Sequence, residues 1–234
     1  MQFSSPQSSS PMNGGGNKPT KRRRRPEERP NELVASAFKL FTERGYAATS
    51  CSDVAKLAGV SKGTLFLYFQ NKELLFKAVA MGSMHALSMD FTDLLESHTG
   101  DSAELLQLML KCWSTQIFTS GAGQLCSAVF AEAFNHPILA KLYSEEMLQP
   151  IKNSLAIAVR RGIVSGEFKK VSIDEVVQVL MCMPLLIAAY QKSLEVFGSE
   201  QTKLDKLSVV NIHLDLLLNG IRQTSDLEHS EKLP

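Results

Sequence analysis

Residues 49–69 constrain the fold more than any other stretch of this sequence, because their pattern predicts two short helices joined by a tight turn. Gly59 marks the turn, since a residue without a Cβ adopts the left-handed backbone that lets one helix end and another begin. Ser52 and Ser61 stand where a hydroxyl caps a helix start. Apolar residues at helical spacing would bury the inner side of the pair: Val54, Ala55, Leu57, Ala58, Val60, Leu65 and Phe69.

The outer face of the second predicted helix carries side chains suited to DNA. They are small, hydroxylic, cationic or aromatic, namely Ser61, Lys62, Gly63, Thr64, Phe66 and Tyr68. Such a surface is typical of a helix whose N-terminal end enters a major groove. Gly63 lacks a side chain, so the helix backbone can approach the base edges closely. Simple packing of Tyr68 and a solvent-facing Thr64 are the structural alternatives.

A longer motif surrounds the turn: Asp53-Val54-Ala55-x-x-Ala58-Gly59-Val60-Ser61-Lys62-Gly63-Thr64-Leu65-Phe66-x-Tyr68-Phe69-x-x-Lys72-Glu73-x-Leu75. Over residues 30–80 this sequence resembles the DNA-binding domain of the tetracycline-repressor (TetR/AcrR) family of bacterial regulators. The resemblance implies an all-α protein in which a three-helix helix-turn-helix head precedes a helical ligand-binding and dimerisation domain. Helical spacing along the chain predicts about nine helices in all.

The resemblance also implies roles for individual residues of the head. It gives a phosphate contact to Thr49, groove contacts to Lys62, Gly63 and Thr64, and DNA-backbone contacts to Tyr68 and Lys72. Lys72 could equally be a solvated charge. Phe66 stands where the family usually has Tyr, so it either touches a thymine methyl or a sugar, or folds back onto the head.

Charge is distributed unevenly along the chain, although the net charge is only +1. Residues 1–29 carry seven Lys and Arg against two Glu, and residues 30–72 carry five basic residues against three acidic ones. Residues 73–234 carry thirteen basic residues against nineteen acidic ones. Positive potential therefore coincides with the helix-turn-helix, and only this end of the chain should bind a polyanion.

The N-terminal residues 1–29 are predicted to form a disordered tail that ends in a basic arm. Gln, Ser, Pro, Asn and Gly dominate the first twenty residues, which offer no apolar surface to offset the entropy of ordering. Within the basic run, Arg23, Arg24 and Arg25 are expected to contact DNA, either in a minor groove or at phosphates. The alternatives are a solvated charge run and, disfavoured by the bacterial-type domain beside it, a nuclear-localisation signal.

Three further segments are predicted after the arm: a helix-turn-helix domain over 30–76, an effector-binding and dimerisation domain over 77–226, and a C-terminal tail over 227–234. In the helix-turn-helix domain, Asn31 should cap a helix that ends at Gly45. One long helix is expected from Glu73 to about Ser97. Gly121-Ala122-Gly123 should separate two helices, and Pro137 should open a helix that runs to about Val164.

The last two predicted helices indicate a homodimer. The helix over 173–197 is apolar nearly all round between residues 176 and 190 and must be covered on every side. The helix over 203–222 carries two apolar stripes, of which one includes Val209, Ile212 and Leu216. One stripe should pack on its own domain and the other on a second copy. The residues assigned to the dimer interface are Val177, Leu207, Val210, Leu214, Leu217 and Ile221.

A pocket for a small, largely apolar effector is implied by the resemblance. Aromatic and sulfur-containing residues on predicted helices are its candidate lining: Met109, Trp113, Phe130, Phe134, Met183 and Tyr190. For each of them ordinary core packing is the alternative. No cofactor is expected.

Other classes of protein are disfavoured. The five histidines have no metal-ligand spacing, no catalytic constellation is recognisable, and the four cysteines form no paired pattern, so we expect neither a metal site nor an enzyme. The longest apolar run falls short of the roughly 20 residues of a membrane span. We therefore expect a ligand-responsive regulator, most simply a repressor released from a palindromic operator, in the bacterial cytoplasm and associated with the nucleoid. The alternatives are a helical ligand carrier or enzyme with purely structural N-terminal helices, and a thiol-based sensor.

Overall fold

The computed structural model describes residues 28–197 and 205–223, without the side chains of residues 83–89 and 191–197. Residues 1–27 of the predicted tail and basic arm, with Arg23, Arg24 and Arg25, lie outside these residues, as does the predicted C-terminal tail. Arg29, assigned to the tail from the sequence, begins the first helix instead. Within the described ranges all the regular elements are helices, apart from an isolated bridge between Phe168 and Arg222. The expectation of an all-α protein is confirmed.

Three helices form the head: α1 (Arg29–Arg44), α2 (Cys51–Leu57) and α3 (Lys62–Tyr68). Helix α1 begins two residues before Asn31, with Pro30 in its first turn, so Asn31 is not its cap. It ends as predicted at Gly45, whose φ of 89° favours a residue without a Cβ. Gly59 has a φ of 68°, which confirms the turn between α2 and α3.

The cap of α2 differs from the prediction, whereas the cap of α3 agrees with it. Ser50, not Ser52, precedes α2, and its side chain accepts a hydrogen bond from the amide of Asp53. The Asp53 carboxylate accepts in return from the Ser50 amide, which completes a capping box. The Ser50 hydroxyl and amide both donate to the Asp53 carboxylate, and these two hydrogen bonds lower the pKa of Asp53. Ser61 caps α3 by accepting from the amide of Thr64.

Seven further helices form the body: α4 (Lys72–Ser97), α5 (Ser102–Thr119), α6 (Gly121–Glu132), α7 (Pro137–Tyr143), α8 (Gln149–Val164), α9 (Ile173–Phe197) and α10 (Lys206–Ile221). The described residues therefore hold ten α-helices rather than nine. A π-helical segment, Ser144–Leu148, divides the helix predicted from Pro137 to Val164, and Pro150 lies in the first turn of α8.

Gly121 begins α6 instead of separating it from α5. Ser120 is both the C-cap of α5 and the N-cap of α6, so the break takes a single residue. A Cβ at Gly121 would collide with the Phe38 ring on α1. The glycine therefore allows the start of α6 to lie directly against the head.

The core runs without interruption from head to body, and α6 lies at its centre in contact with α1, α4, α5, α7 and α9. Polar groups also tie distant segments together. The two Glu167 carboxylate oxygens accept from the amides of Ser102, at 2.6 Å, and Ala103, at 2.8 Å. A carboxylate at this position satisfies donors that a helix start leaves open. It thereby fixes α5 to the segment that follows α8.

Helix α9 contains one stretch, Ile173–Tyr190, that is long and apolar enough to cross a membrane by length and composition alone, with a mean hydropathy of 1.6. It packs against α5, α6, α8 and α10, yet only 39% of the stretch is buried within one chain. Pro184 lies inside this helix. An apolar face of α9 thus remains on the surface of the single protomer.

Candidate DNA-binding surface and body

The N-terminal end of α3 is an ordered, exposed surface. The Ser61 hydroxyl accepts from the Thr64 amide at 3.0 Å and shares a hydrogen bond of 2.8 Å with the Thr64 hydroxyl. Lys62 and Gly63 are exposed between them. The small, hydroxylic and cationic groups predicted to meet a major groove therefore lie together at one helix end.

The aromatic residues of α3 also lie outside. Phe66 is 38% exposed, and its ring centroid lies 5.7 Å from the Lys62 Nζ atom, so it has not folded back into the head. Tyr68 is exposed to a similar extent. Both rings are placed where a DNA contact is sterically possible, and that contact stays a prediction.

Lys72 lies at the edge of the same surface, in the first turn of α4. Its Nζ atom lies 4.1 Å from the Tyr46 ring centroid and donates a long hydrogen bond of 3.4 Å to the Ala47 carbonyl. Partial burial lowers the pKa of this ammonium, while the charges of Glu132, Cys51 and Glu73 act to raise it. Lys72 is therefore a partly packed cation beside the loop between α1 and α2, rather than a fully solvated one.

The expected phosphate contact of the Thr49 side chain is wrong. Thr49 is 2% exposed, and its hydroxyl donates to the carbonyls of Gly45, at 2.8 Å, and Leu40, at 3.3 Å. Its role is structural, because it fixes the loop that leads into α2. The neighbouring Ser50 is exposed and occupies the helix start.

Leu67 was missed by the sequence interpretation. It is 83% exposed on α3, next to Phe66 and Tyr68. The signal was available, because Leu65 is buried and a residue two positions later on a helix points away from it by about 200°. Leu67 follows the exposed Gly63 by four residues, so it shares that side of α3, and we add it to the candidate DNA-binding surface as a prediction.

The stripe predicted to form the dimer interface must be corrected. Val177, Val210, Leu214 and Ile221 are buried within their own chain, and Leu207 and Leu217 are half-buried. Among the described side chains of α9 and α10, the large apolar residues left exposed are Val179, Leu186, Tyr190, Ile212 and Leu216. The two stripes had equal spacing in the sequence, and only the direction from which α5 and α9 cover α10 distinguishes them.

The predicted effector residues do not come together. Met109 and Trp113 are buried in the core, and Met183 is partly buried against it. Phe130, Phe134 and Tyr190 are on the surface, and Phe134 is 97% exposed. None of the six lines the open groove between α4 and α5, and their contact with an effector stays a prediction.

An open groove of about 730 Å³ lies between α4 and α5. Its lining is mostly apolar in surface but carries both signs of charge, and consists of Asp90, Asp93, Leu94, Ser97, Leu108, Lys111, Cys112, Thr115 and Gln116. The Oε1 atom of Gln116 is buried and has no hydrogen-bond partner among the described residues. An acceptor in this state favours a ligand that donates a hydrogen bond.

The described residues offer little for metal or thiol chemistry. Among them, no group of three or more His, Cys, Asp and Glu side chains is placed to hold a metal ion. Burial raises the pKa of the Cys126 thiol to about 11 and also raises the pKa of Cys112. Higher thiol pKa values leave less of the reactive thiolate at neutral pH.

These features define a class of protein: a helix-turn-helix DNA-binding regulator whose head rests on a helical body. Residues 33–79 match the family model described as "Bacterial regulatory proteins, tetR family". The match covers the head, and together with the relatives below it supports a transcriptional regulator of the TetR family. The resemblance deduced from the sequence is confirmed.

Two relatives extend the similarity beyond the head. The chain is 24% identical to the fatty acid metabolism regulator protein of Bacillus subtilis over 190 residues, which cover 81% of this chain and 94% of that protein. It is also 24% identical to the transcriptional repressor KstR2 of Rhodococcus jostii over 143 residues, which cover 60% of this chain and 68% of that protein.

Solved structures show that the body shares the fold as well. The regulator FadR from Bacillus subtilis, solved in complex with stearoyl-CoA, aligns with a TM-score of 0.68 and 22% identity over 82% of this chain and 99% of that one. FadR from Bacillus halodurans aligns with a TM-score of 0.67 over the same shares of the two chains.

Proposed function

We propose that this regulator is a homodimeric repressor that binds a palindromic operator and releases it when a small, largely apolar effector binds to its body. The observation that carries the proposal is the exposed end of α3, where Ser61, Lys62, Gly63 and Thr64 lie together on a head held rigidly against the body. The proposed location is the bacterial cytoplasm, in association with the nucleoid.

The exposed apolar face of α9 and α10 supports a dimer. Leu216 is 71% exposed and Ile212 57%, and α9 adds Leu186 and Tyr190. Contiguous apolar surface of this kind is typical of protein interfaces. A second copy of the same two helices would cover it in a two-fold four-helix arrangement and place two heads for one palindrome.

The groove between α4 and α5 supports a ligand-responsive body. It adjoins α4, the helix that joins the head to the body, so a bound molecule could alter the angle of the head. A similar protein, FadR from Bacillus subtilis, was solved in complex with stearoyl-CoA, a molecule with a long apolar chain. The apolar surface of the groove suits an apolar chain, and Lys111, Asp93 and Gln116 suit a polar end.

A selection experiment tests DNA recognition directly. The wild-type protein should enrich a palindromic duplex from a random-sequence library. Thr64→Ala should weaken binding of that duplex by about tenfold, the discrimination expected for loss of one groove contact, without dissociating the dimer. Thr99→Ala, at an exposed position in the loop before α5, is the matched control and should bind as the wild type does.

The outcomes separate the alternatives. A helical carrier or enzyme with structural N-terminal helices would select no duplex and would show no salt-dependent DNA binding. For the effector, mass spectrometry of small molecules released from denatured protein should find a largely apolar compound, and adding it back should lower operator affinity. The thiol-sensor alternative predicts instead that peroxide releases DNA, which the raised pKa values of Cys112 and Cys126 disfavour.

A further inference from the structure

Helix α6 touches the DNA-binding head at both of its ends. At the start, Gly121 lies against the Phe38 ring of α1 so closely that no side chain fits between them. At the end, the Glu132 side chain reaches the loop between α1 and α2, 85 residues earlier in the sequence. The head therefore contacts both ends of one body helix.

The contact at the end of α6 is a charge-assisted hydrogen bond. The Oε2 atom of Glu132 accepts from the Ala47 amide at 2.7 Å. Its Oε1 atom occupies the space that a Cβ at Gly45 would need. Hydrogen bonds in which the acceptor is ionised are shorter and about twice as strong as neutral ones. Glu132 thus binds the loop backbone at Ala47 and lies close against it at Gly45.

Glu132 lies among residues of the head loop and of the first turn of α4. The Lys72 ammonium, which itself donates to the Ala47 carbonyl, is electrostatically coupled to Glu132. The Tyr46 ring lies 6.0 Å from the His136 ring, just beyond the end of α6, and packs against Phe41 of α1 and Phe76 of α4. The same loop continues into Thr49 and the α2 cap at Ser50. A shift of Glu132 would therefore be transmitted to the start of the helix-turn-helix.

The opposite side of α6 faces the proposed dimer helix. Helix α6 packs along α9, and the Ser127 hydroxyl donates to the Ala189 carbonyl at 3.2 Å. One rigid helix thus contacts the head on one side and α9 on the other. In a two-fold dimer, the position of α6 relative to α9 would set the separation of the two heads.

We propose that Glu132 is a positioning residue for DNA recognition, in that its carboxylate holds the loop between α1 and α2 so that α3 is presented at the angle the operator requires. This role rests on the proposed DNA-binding function and assigns no DNA contact to Glu132 itself. It acts through Ala47, and through the loop to α2 and α3. Because Gly45 and Gly121 have no side chain, the head can approach α6 this closely.

Two variants test the role. Glu132→Ala removes the acceptor, and Glu132→Gln keeps an oxygen acceptor while removing its charge. The probe is the duplex that the wild-type protein selects from a random library, compared with a duplex of scrambled sequence. Glu132→Ala should raise the dissociation constant for the selected duplex about tenfold, and Glu132→Gln should raise it less, while binding to the scrambled duplex stays unchanged.

The control is Glu145→Ala. Glu145 is an exposed carboxylate whose ion pair, with Lys141 at 3.8 Å, lies on the body surface away from the head loop. The Glu145→Ala protein should bind both the selected and the scrambled duplex with wild-type affinity. A role in stability alone would lower the melting temperature of the Glu132 variants but leave the affinity of the folded dimer at its wild-type value, and that result would overturn the proposal.

Hydrogen exchange of the Ala47 amide provides a readout that needs no DNA. Exchange should be faster in both Glu132 variants than in the wild type and in the Glu145→Ala control, because the amide loses its charged acceptor. If Glu132→Ala fails to fold, the duplex affinity and the Ala47 amide exchange of Glu132→Gln test the proposal instead. If the wild-type protein selects no duplex, the proposed DNA-binding function fails, whereas unchanged Ala47 exchange refutes the Glu132 contact itself.

Discussion

Leu216→Asp is expected to dissociate the proposed dimer without unfolding the protomer. Full burial of a leucine side chain contributes about 1.5–3 kcal/mol, and Leu216 is 71% exposed in one chain, so about 1–2 kcal/mol remains to be gained on association. Two-fold symmetry doubles this to about 2–4 kcal/mol, which corresponds to a dissociation constant raised about 30- to 700-fold. Burial of an unpaired carboxylate would add to the loss.

Analytical ultracentrifugation over a concentration series measures the effect. Leu67→Asp is the matched control, because Leu67 is also a highly exposed helical leucine but lies on α3. We expect Leu216→Asp to be monomeric at concentrations where the wild type is dimeric, and Leu67→Asp to remain a dimer while losing operator binding. A Leu216→Asp protein that stays dimeric with a wild-type dissociation constant would refute the assignment of this face to the interface.

Three further predictions concern stability. Glu167→Ala should lower the free energy of unfolding, measured by urea titration, by about 2–3 kcal/mol, because two amides at the start of α5 lose a charged acceptor. An unchanged urea midpoint would show that water replaces the carboxylate as acceptor. Gly45→Ala should cost more than about 1 kcal/mol, since φ is 89° and Glu132 fills the space of the new methyl group; a neutral effect would mean that the loop relaxes. Burial raises the pKa of the Cys126 thiol from 9.0 to about 11. As the pH rises, this thiol therefore ionises in the unfolded chain before it does so in the folded protein. The free energy of unfolding should fall between pH 9 and about pH 11 for this reason. Cys126→Ala should reduce this fall, and an equal fall in the variant would assign it to other groups.

The head was largely predictable from the sequence. Gly45 and Gly59 ended helices where expected, and Ser61 capped α3, because such signals act through neighbouring backbone groups. Ser50 replaced Ser52 as the α2 cap because the Asp53 side chain completes a capping box only with Ser50. Thr49 was misassigned because its burial depends on how the loop folds over the end of α1, and spacing does not report this.

The body was predictable in its helices but not in the direction of their faces. An apolar stripe at helical spacing looks the same whether it meets its own chain or a partner, which is why Val210 and Leu214 were taken for interface residues and Ile212 and Leu216 turned out to be open. Likewise, aromatic and methionine residues such as Trp113 and Phe134 suggest a pocket by type, while their placement puts one in the core and the other in solvent.

The sequence by itself determined the helical class, the helix-turn-helix and its family, because these follow from short-range patterns of glycines, capping residues and apolar spacing. Only the tertiary structure decided which side of each helix is covered, where a groove opens, and that Glu132 meets Ala47 across 85 residues. The physical reason is range: capping and periodicity act within a few residues along the chain. The packing of one helix on another instead depends on the summed fit of side chains that are distant in sequence.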